Sequence, residues 1–336
     1  MHDAAILLIS LGIILVGAEA FTNAVEWLGK RMNLPEGAVG SILAAVGTAL
    51  PETMIPLIAL TLDRGGNAKS IGIGAILGAP LMLSTLAMFV TGTAIIAFRR
   101  RRRAGTDVLA DPAVMSRDLS VFLVVFSVAM LAGLIPPQFR FGQLILAGLM
   151  VLAYIYYVWL TLQDERCDDE EEDLRACYFA PKADQPAYFS ILAQLGFALV
   201  MIVGGAHLFV QGVESLAIAF GIPAFVLALV IAPIATELPE KFNSVIWVSR
   251  EKDTLALGNI TGAMVFQSSL IPAMGIFLSD WQLSSGALLS GLLTLTAAGV
   301  LFLETHHHKK LQARTLLLSG AFYLLFLILV LKRVIV

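Results

Sequence analysis

A five-residue pattern that ends in proline and glutamate occurs twice, each time inside an apolar stretch long enough to cross a bilayer. The two copies are residues 48–52 and 236–240, and both begin with threonine. A charge at membrane depth costs about 2.5–3.5 kcal/mol on insertion scales, so a carboxylate there indicates a function. Proline disrupts a helix, and irregular backbone is tolerated inside a membrane where it lines a cavity. Two proline-broken helices with an acid at each break therefore predict one cation site built from two halves.

The composition is that of a polytopic membrane protein. The chain has 336 residues, of which 58% are hydrophobic and 14% charged, and its mean hydropathy is +0.85. No ordinary soluble domain has this balance. The net charge of −3 gives no indication of a nucleic-acid partner, because the charges cluster between apolar spans. We expect the lipid bilayer and inorganic cations as partners; the oligomeric state stays open.

The apolar stretches predict ten spans and their orientation. The connecting segments carry 16 basic residues on one side and five on the other. By the positive-inside rule the richer side is cytoplasmic. We therefore expect a protein of the cell membrane with both termini outside the cell and the acidic run 164–173 in the cytoplasm. The spans are roughly 4–29, 37–62, 71–98, 119–135, 141–163, 187–217, 223–249, 255–279, 284–303 and 314–333.

A long internal repeat relates the two halves of the chain. Shifting the sequence by 188 aligns 17–52 with 205–240, and twelve of those 36 positions are identical. Two halves of five spans have opposite orientations, because five is odd. The sequence therefore predicts an all-α membrane protein with ten transmembrane helices in two inverted five-helix repeats. The repeats are residues 1–163 and 187–336, joined by an acidic cytoplasmic linker, 164–186.

These motifs resemble those of the cation/calcium exchanger superfamily, which includes sodium/calcium and proton/calcium exchangers. That family has a signature close to G-T-S-x-P-E, followed one span later by G-N-x-x-G-S-N. The corresponding segments here are 47–52 and 74–80 in the first half, and 235–240 and 258–264 in the second. The resemblance implies a secondary antiporter that exchanges Ca²⁺ for Na⁺ or H⁺ by alternating access. It implies neither catalytic residues nor a covalently bound cofactor.

The resemblance also implies which residues bind the metal. Glu52 and Glu240 are the central ligands, and Thr48 and Thr236 add oxygens from the same turns. Calcium takes 6–8 oxygen ligands, and two carboxylates neutralise its charge in a low-dielectric site. Gln267 follows the second glycine motif and is a further candidate oxygen donor.

Several positions depart from the sodium-exchanger pattern. The signature serine is Ala49 in the first half and Glu237 in the second, and Ile76 and Ile260 occupy positions that can carry a sodium-binding hydroxyl. The loss of neutral oxygens favours protons over sodium as the counter-ion. Glu237 itself has two interpretations: it pairs with Lys241 one helical turn away, or it serves as a ligand.

Two other classes of function compete with the antiporter. A passive divalent-cation channel or uniporter is the main alternative, but inverted repeats around a central site favour alternating access. An intramembrane zinc protease would need H-E-x-x-H, which is absent, and no serine–histidine arrangement is evident. We therefore do not expect an enzyme.

Overall fold

A bundle of long helices makes up the computed structural model. It describes residues 2–32, 50–62, 67–164, 175–183 and 185–335, without the side chains at 2–4, 50, 162, 164, 235 and 238–243. In these ranges the only β-type pairing is one isolated bridge. A π-helical turn, Leu83–Ala87, joins two of the helices. The helices are α1 His2–Arg31, α2 Leu50–Thr61, α3 Ala68–Met82, α4 Met88–Phe98, α5 Pro112–Ala132, α6 Arg140–Asp164, α7 Tyr188–Phe220, α8 Ala224–Ser249, α9 Asp253–Leu278, α10 Ser285–His308 and α11 Ala313–Leu331.

Eight stretches of helix in the described part of the chain are long and apolar enough to cross a membrane. They comprise α1, the continuous α3–α4 stretch, α5, α6, α7, α9, α10 and α11. The two remaining predicted spans correspond to α2 and α8. The first part of span 37–62 lies outside the described residues, and in α8 the segment Ala224–Ile234 is apolar but shorter. The chain is thus a multi-pass membrane protein.

The two longest helices, α1 and α7, pack closely and antiparallel through a pair of glycines. A β-carbon on Gly17 would lie 2.9 Å from Ile202 Cγ1, and one on Gly205 would lie 2.8 Å from Ile14 Cγ1. Small residues let helix backbones approach closely in a membrane. Gly17 corresponds to Gly205 in the repeat, and Ile14 corresponds to Ile202, each at an offset of 188. The repeat therefore relates one of these contacts to the other. The contact therefore has the two-fold pattern that the sequence repeat predicts.

A short segment after the acidic run is hydrogen-bonded to both of these helices. We call residues 175–180 the docked linker segment. On α1, Asn23 Nδ2 and Trp27 Nε1 donate to the Arg175 carbonyl at 3.2 and 2.9 Å. On α7, Gln194 Oε1 accepts from the Phe179 amide at 3.0 Å, and Gln194 Nε2 donates to Asn23 Oδ1 at 3.0 Å. The segment therefore ties α1 and α7 together at one end.

A buried ion pair joins the loops at that same end of the bundle. Arg102 donates from Nη1 to Asp253 Oδ1 at 2.7 Å and from Nη2 to Oδ2 at 2.6 Å, and both side chains are fully buried. This hydrogen bonding to Asp253 raises the pKa of the Arg102 guanidinium. Carbonyls of Val248, Asp107 and Gly105 accept its three remaining hydrogens. We call this end, with its basic segments 99–103, 250–252 and 309–310, the basic face.

The other loops contact one another at the opposite face. Lys69 Nζ lies 2.9 Å from Asp280 Oδ2, and Arg140 Nη2 donates to the Ile276 carbonyl. The Asn67 amide donates to Glu214 Oε1 at 3.3 Å. The predicted order of the spans places these loops on one side of the membrane. In the structure they contact one another, as that prediction requires.

The glycine motif of α3 packs directly on the backbone of α8. A β-carbon on Gly78 would lie 2.2 Å from the Leu229 carbonyl oxygen, and one on Gly74 would lie 2.4 Å from that of Phe225. Pro233 has no N–H, so the helix offers Leu229 no amide donor four residues on. Gly74 and Gly78 therefore serve close packing between α3 and α8.

Replacing Gly78 with alanine tests this contact. The methyl group would meet a backbone atom, and overpacking costs about 1–3 kcal/mol, so we expect Gly78→Ala to lower the thermal midpoint of the purified protein. The matched control is Gly204→Ala, because no described atom lies within 4 Å of a β-carbon there. Equal midpoints for the two variants, measured by size-exclusion chromatography after heating, would contradict the close α3–α8 contact.

Candidate ion-binding site

Three of the helices that carry the predicted ligands meet in the interior of the bundle. Helix α2 contacts α8 and α9, as well as α3 and α7. Glu52 on α2 is 8% exposed, Thr236 and Glu237 on α8 are 2% and 1% exposed, and Gln267 on α9 is 3% exposed. Thr48 and the side chain of Glu240 lie outside the described residues. All predicted site residues whose side chains are described are therefore buried polar groups.

Glu237 and Gln267 are in direct contact. Gln267 Nε2 donates to Glu237 Oε1 and so joins α8 to α9. A carboxamide nitrogen can only donate, so Gln267 Oε1 keeps both of its lone pairs. That oxygen is buried and has no hydrogen-bond partner among the described residues. The pair thus brings carboxylate and carboxamide oxygens together, the ligand types that hard cations prefer.

The lysine pairing considered for Glu237 stays open. Helix α8 is continuous here, so Glu237 and Lys241 have the spacing of neighbours one turn apart. The Lys241 side chain lies outside the described residues. The contact with Gln267, by contrast, connects two elements that the sequence alone does not bring together.

The prediction of a break in the second proline-containing helix is wrong. Helix α8 continues from Ala224 to Ser249 through both Pro233 and Pro239. A proline removes one intrahelical hydrogen bond, and its neighbours can keep the helix intact in a membrane. Because Pro239 has no N–H, the carbonyl of Ala235 lacks its usual donor. The helix therefore still offers a backbone oxygen beside Thr236 and Glu237, without an interruption.

Buried hydroxyls follow both glycine motifs in matching positions. Ser84 and Thr85 both donate to the Leu81 carbonyl. Ser268 and Ser269 both donate to the Val265 carbonyl, at 3.0 and 2.6 Å. The two sets are 184 residues apart, which is the offset between the glycine motifs. These hydroxyl oxygens keep lone pairs for a ligand, although their protons are already used.

The helix geometry around these hydroxyls differs between the halves. In the first half they lie in the π-helical turn Leu83–Ala87, which begins three residues after Pro80. In the second half α9 is α-helical through the matching positions. Single π-helical turns inside helices are often found at functional sites. The sequence feature that distinguishes the two halves here is Pro80, because the corresponding residue in the second half is Met264.

The positions that would supply sodium-binding hydroxyls are hydrocarbon. Ile76 and Ile260 are almost completely buried, at 1% and 0% exposed, and both belong to the main apolar core. Met264 is also buried in that core. These positions of the two glycine motifs therefore lack the neutral oxygens that the sodium-exchanger signature would place there.

Sequence reasoning missed a buried carboxylate next to the second glycine motif. Asp118 on α5 accepts from Thr261 Oγ1 at 2.7 Å and from Tyr157 OH at 3.1 Å. Arg117 Nε lies 3.3 Å from its Oδ1. Thr261 belongs to the glycine motif of α9, so Asp118 anchors that helix to α5 and α6. The available signal was weak, because Asp118 follows Arg117 and lies directly before the predicted span 119–135.

Buried acids on the internal helices of a membrane bundle are typical of proteins that move cations. The family model described as "Sodium/calcium exchanger protein" matches residues 2–163 and 190–332. The chain therefore belongs to the sodium/calcium exchanger protein family and is a cation antiporter. The superfamily predicted from the motifs is confirmed.

Individual relatives and solved structures are similar along most of the chain. An inner membrane protein of Escherichia coli, YrbG, is 25% identical over 268 residues, which are 80% of this chain and 77% of that protein. The crystal structure of an H⁺/Ca²⁺ exchanger, CAX, matches 98% of this chain and 82% of its own, with a TM-score of 0.72 and 19% identity. The sodium-calcium exchanger NCX_Mj matches 96% of both chains, with a TM-score of 0.56 and 19% identity. At these identities the two structures establish a shared fold.

Proposed function

We propose that this antiporter exchanges Ca²⁺ for Na⁺ or H⁺ by alternating access, with Glu52 and Glu240 as its central ligands. The observation that carries the proposal is the burial of Glu52 on α2 together with Glu237 on α8. These helices contain the two copies of the repeated motif and contact each other. Acids inside membrane spans face the bundle interior and mark ion pathways.

The architecture proposed for this function is ten transmembrane helices in two inverted repeats, residues 1–163 and 187–336, joined by the acidic linker 164–186. The contacts of Gly17 and Gly205 support it, because each is the counterpart of the other at an offset of 188. The matching hydrogen bonds of Ser84 and Ser268 support it independently. Inverted repeats of this kind hold substrates near the membrane midplane, where rocking of one group of helices exposes them alternately.

The oxygens proposed for calcium come from both halves of the chain. Two carboxylates balance the charge of Ca²⁺, and neutral oxygens complete a shell of 6–8 ligands. Glu237 and Gln267 add a third carboxylate and a carboxamide on the side of the second half. The proposed set is Glu52, Glu240, Thr48, Thr236, Glu237 and Gln267, supplemented by the carbonyl of Ala235.

Removing either central carboxylate should abolish exchange. We expect Glu52→Gln and Glu240→Gln to reduce calcium uptake into proteoliposomes to background, because a buried amide does not compensate the charge of Ca²⁺. Glu19→Gln is the control, since Glu19 is exposed and paired with Arg175 at the basic face. The Glu52→Gln and Glu240→Gln proteins must be reconstituted in the same amount as the wild type and must elute like it from a size-exclusion column. Near-normal uptake by both would exclude these two residues as the ligands.

Of the two possible counter-ions, we propose the proton. Buried Ile76 and Ile260 supply no hydroxyl at two positions where sodium could use one, whereas a proton needs no coordination shell. Of the two structures compared, one is an H⁺/Ca²⁺ exchanger and the other a sodium-calcium exchanger. Their low identities favour neither, so the argument depends on the residues of this chain.

Separate gradients distinguish the two counter-ions and also test the channel alternative. With the membrane potential clamped, we expect calcium uptake to respond more strongly to an imposed pH gradient than to an imposed sodium gradient. Uptake that needs sodium at constant pH would reverse this assignment. Uptake that needs neither gradient and does not saturate would instead support a passive channel or uniporter.

The orientation proposed for the chain places the basic face and the acidic linker in the cytoplasm and both termini outside. We expect a cysteine at Glu170→Cys, in a background without Cys167 and Cys177, to be protected from an impermeant thiol reagent added to intact cells. A cysteine at Gln138→Cys, exposed at the opposite face, should be labelled. The reverse labelling pattern would overturn the orientation.

A further inference from the structure

The basic face contains a cavity between α10 and α11 that none of the candidate ion-site residues lines. Its volume is about 600 Å³. Aliphatic side chains line one part of it, from Val300, Leu303 and Leu318. Polar and charged side chains line the other part, including Glu304, His308 and Arg314. A cavity that is apolar on one side and charged on the other, at the end of two membrane helices, fits an amphipathic molecule.

The charged part can bind an anionic group. Helix α10 ends at His308, and α11 begins at Ala313, so Arg314 lies in the first turn of α11. The N-terminus of a helix carries partial positive charge, and arginine binds phosphate through several parallel donors. Lys309 and Lys310 follow directly in the connecting loop. Basic pockets between membrane helices are typical binding sites for lipid headgroups.

Glu304 makes this cavity different from a simple anion site. Its Oε2 atom is buried and has no hydrogen-bond partner among the described residues. Leaving a buried carboxylate oxygen unpaired is costly, so it indicates a missing donor. Metal ions are a poor match, because the described residues contain no group of three His, Cys, Asp or Glu side chains suited to one. The neighbouring basic side chains would also repel a metal.

We propose that this cavity binds a phospholipid whose headgroup contains both a phosphate and a primary ammonium. The phosphate lies beside Arg314 and the start of α11, and the ammonium donates to Glu304 Oε2. The acyl chains follow Leu303 and Leu318 towards the bilayer. A choline headgroup cannot donate to Glu304, because its nitrogen has no hydrogen. A glycerol headgroup has no positive charge to balance the carboxylate.

Native mass spectrometry of the purified protein tests the selectivity. The protein is incubated with equal amounts of phosphatidylethanolamine, phosphatidylcholine and phosphatidylglycerol with identical acyl chains. A hydrogen bond to a charged group contributes about 1.5–3 kcal/mol, so we expect about tenfold preferential retention of phosphatidylethanolamine. Equal retention of the three lipids, or a preference for phosphatidylglycerol, would overturn the proposal.

Single substitutions test which side chain binds the ammonium of the headgroup and which binds its phosphate. We expect Glu304→Leu to remove the preference for phosphatidylethanolamine while the total bound lipid stays similar. Arg314→Gln should reduce retention of all three lipids, and Lys332→Gln, near the chain end at the opposite face, should change neither. Leu318→Trp fills the apolar part and should exclude lipid from a normally folded protein. Unchanged selectivity in Glu304→Leu would contradict the role of the carboxylate.

Soluble phosphoethanolamine separates a lipid site from a site for a free metabolite. Because the aliphatic part of the cavity contributes to binding, millimolar phosphoethanolamine should fail to displace phosphatidylethanolamine. Displacement by the headgroup alone would show that the occupant is a soluble phosphoamine, and would overturn the assignment to a membrane lipid.

Discussion

A hydrocarbon interior offers no hydrogen-bond partners, and this constraint organises the polar groups of the whole bundle. Arg102 and Asp253 are buried only because each hydrogen-bonds the other and further backbone groups. Asp118 is held by Thr261 and Tyr157, and Glu237 by Gln267. Removing one partner of a buried ion pair typically costs about 3–5 kcal/mol, because the other charge stays in place. Each of these contacts therefore joins separate elements of the bundle: a loop and α9 through Arg102 and Asp253, α5 with α6 and α9 through Asp118, and α8 with α9 through Glu237 and Gln267.

Most of the fold could be predicted from the sequence because its physical signals are strong. Long apolar stretches define spans, and alternating loops define which segments share a face. The internal repeat also predicted the relation between Gly17 and Gly205 before any contact was known. The helix break at Pro239 was wrong because a proline marks a lost hydrogen bond, while neighbouring helices decide whether the chain bends or breaks.

The candidate site could be predicted less completely. Buried acids stand out in an apolar sequence, so Glu52 and Glu237 were recognisable. Gln267 was a candidate ligand because it follows the second glycine motif, but its hydrogen bond to Glu237 could not be predicted, since the two residues lie 30 positions apart on different helices. Asp118 was missed for a related reason: it lies close to a predicted span end, where an acid usually contacts solvent. Its burial depends on α6 and α9, which sequence periodicity does not locate.

The helices around the candidate ion-binding site make equivalent contacts in the two halves of the chain, but the side chains of the site itself are not equivalent. Ser84 and Ser268 make equivalent hydrogen bonds, so the two halves share a backbone design. Glu237 and Gln267, however, have Ala49 and Leu83 as their counterparts. The second half therefore carries a carboxylate–carboxamide pair that the first half lacks.

The docked linker segment has a consequence for how the two halves are held together. Helix α6 ends at Asp164, and the docked linker segment begins at Arg175. Contacts of Asn23 and Trp27 on α1 and of Gln194 on α7 fix the position of this segment against both helices. These contacts join the two halves of the chain through their surfaces, as in an assembly of complementary fragments.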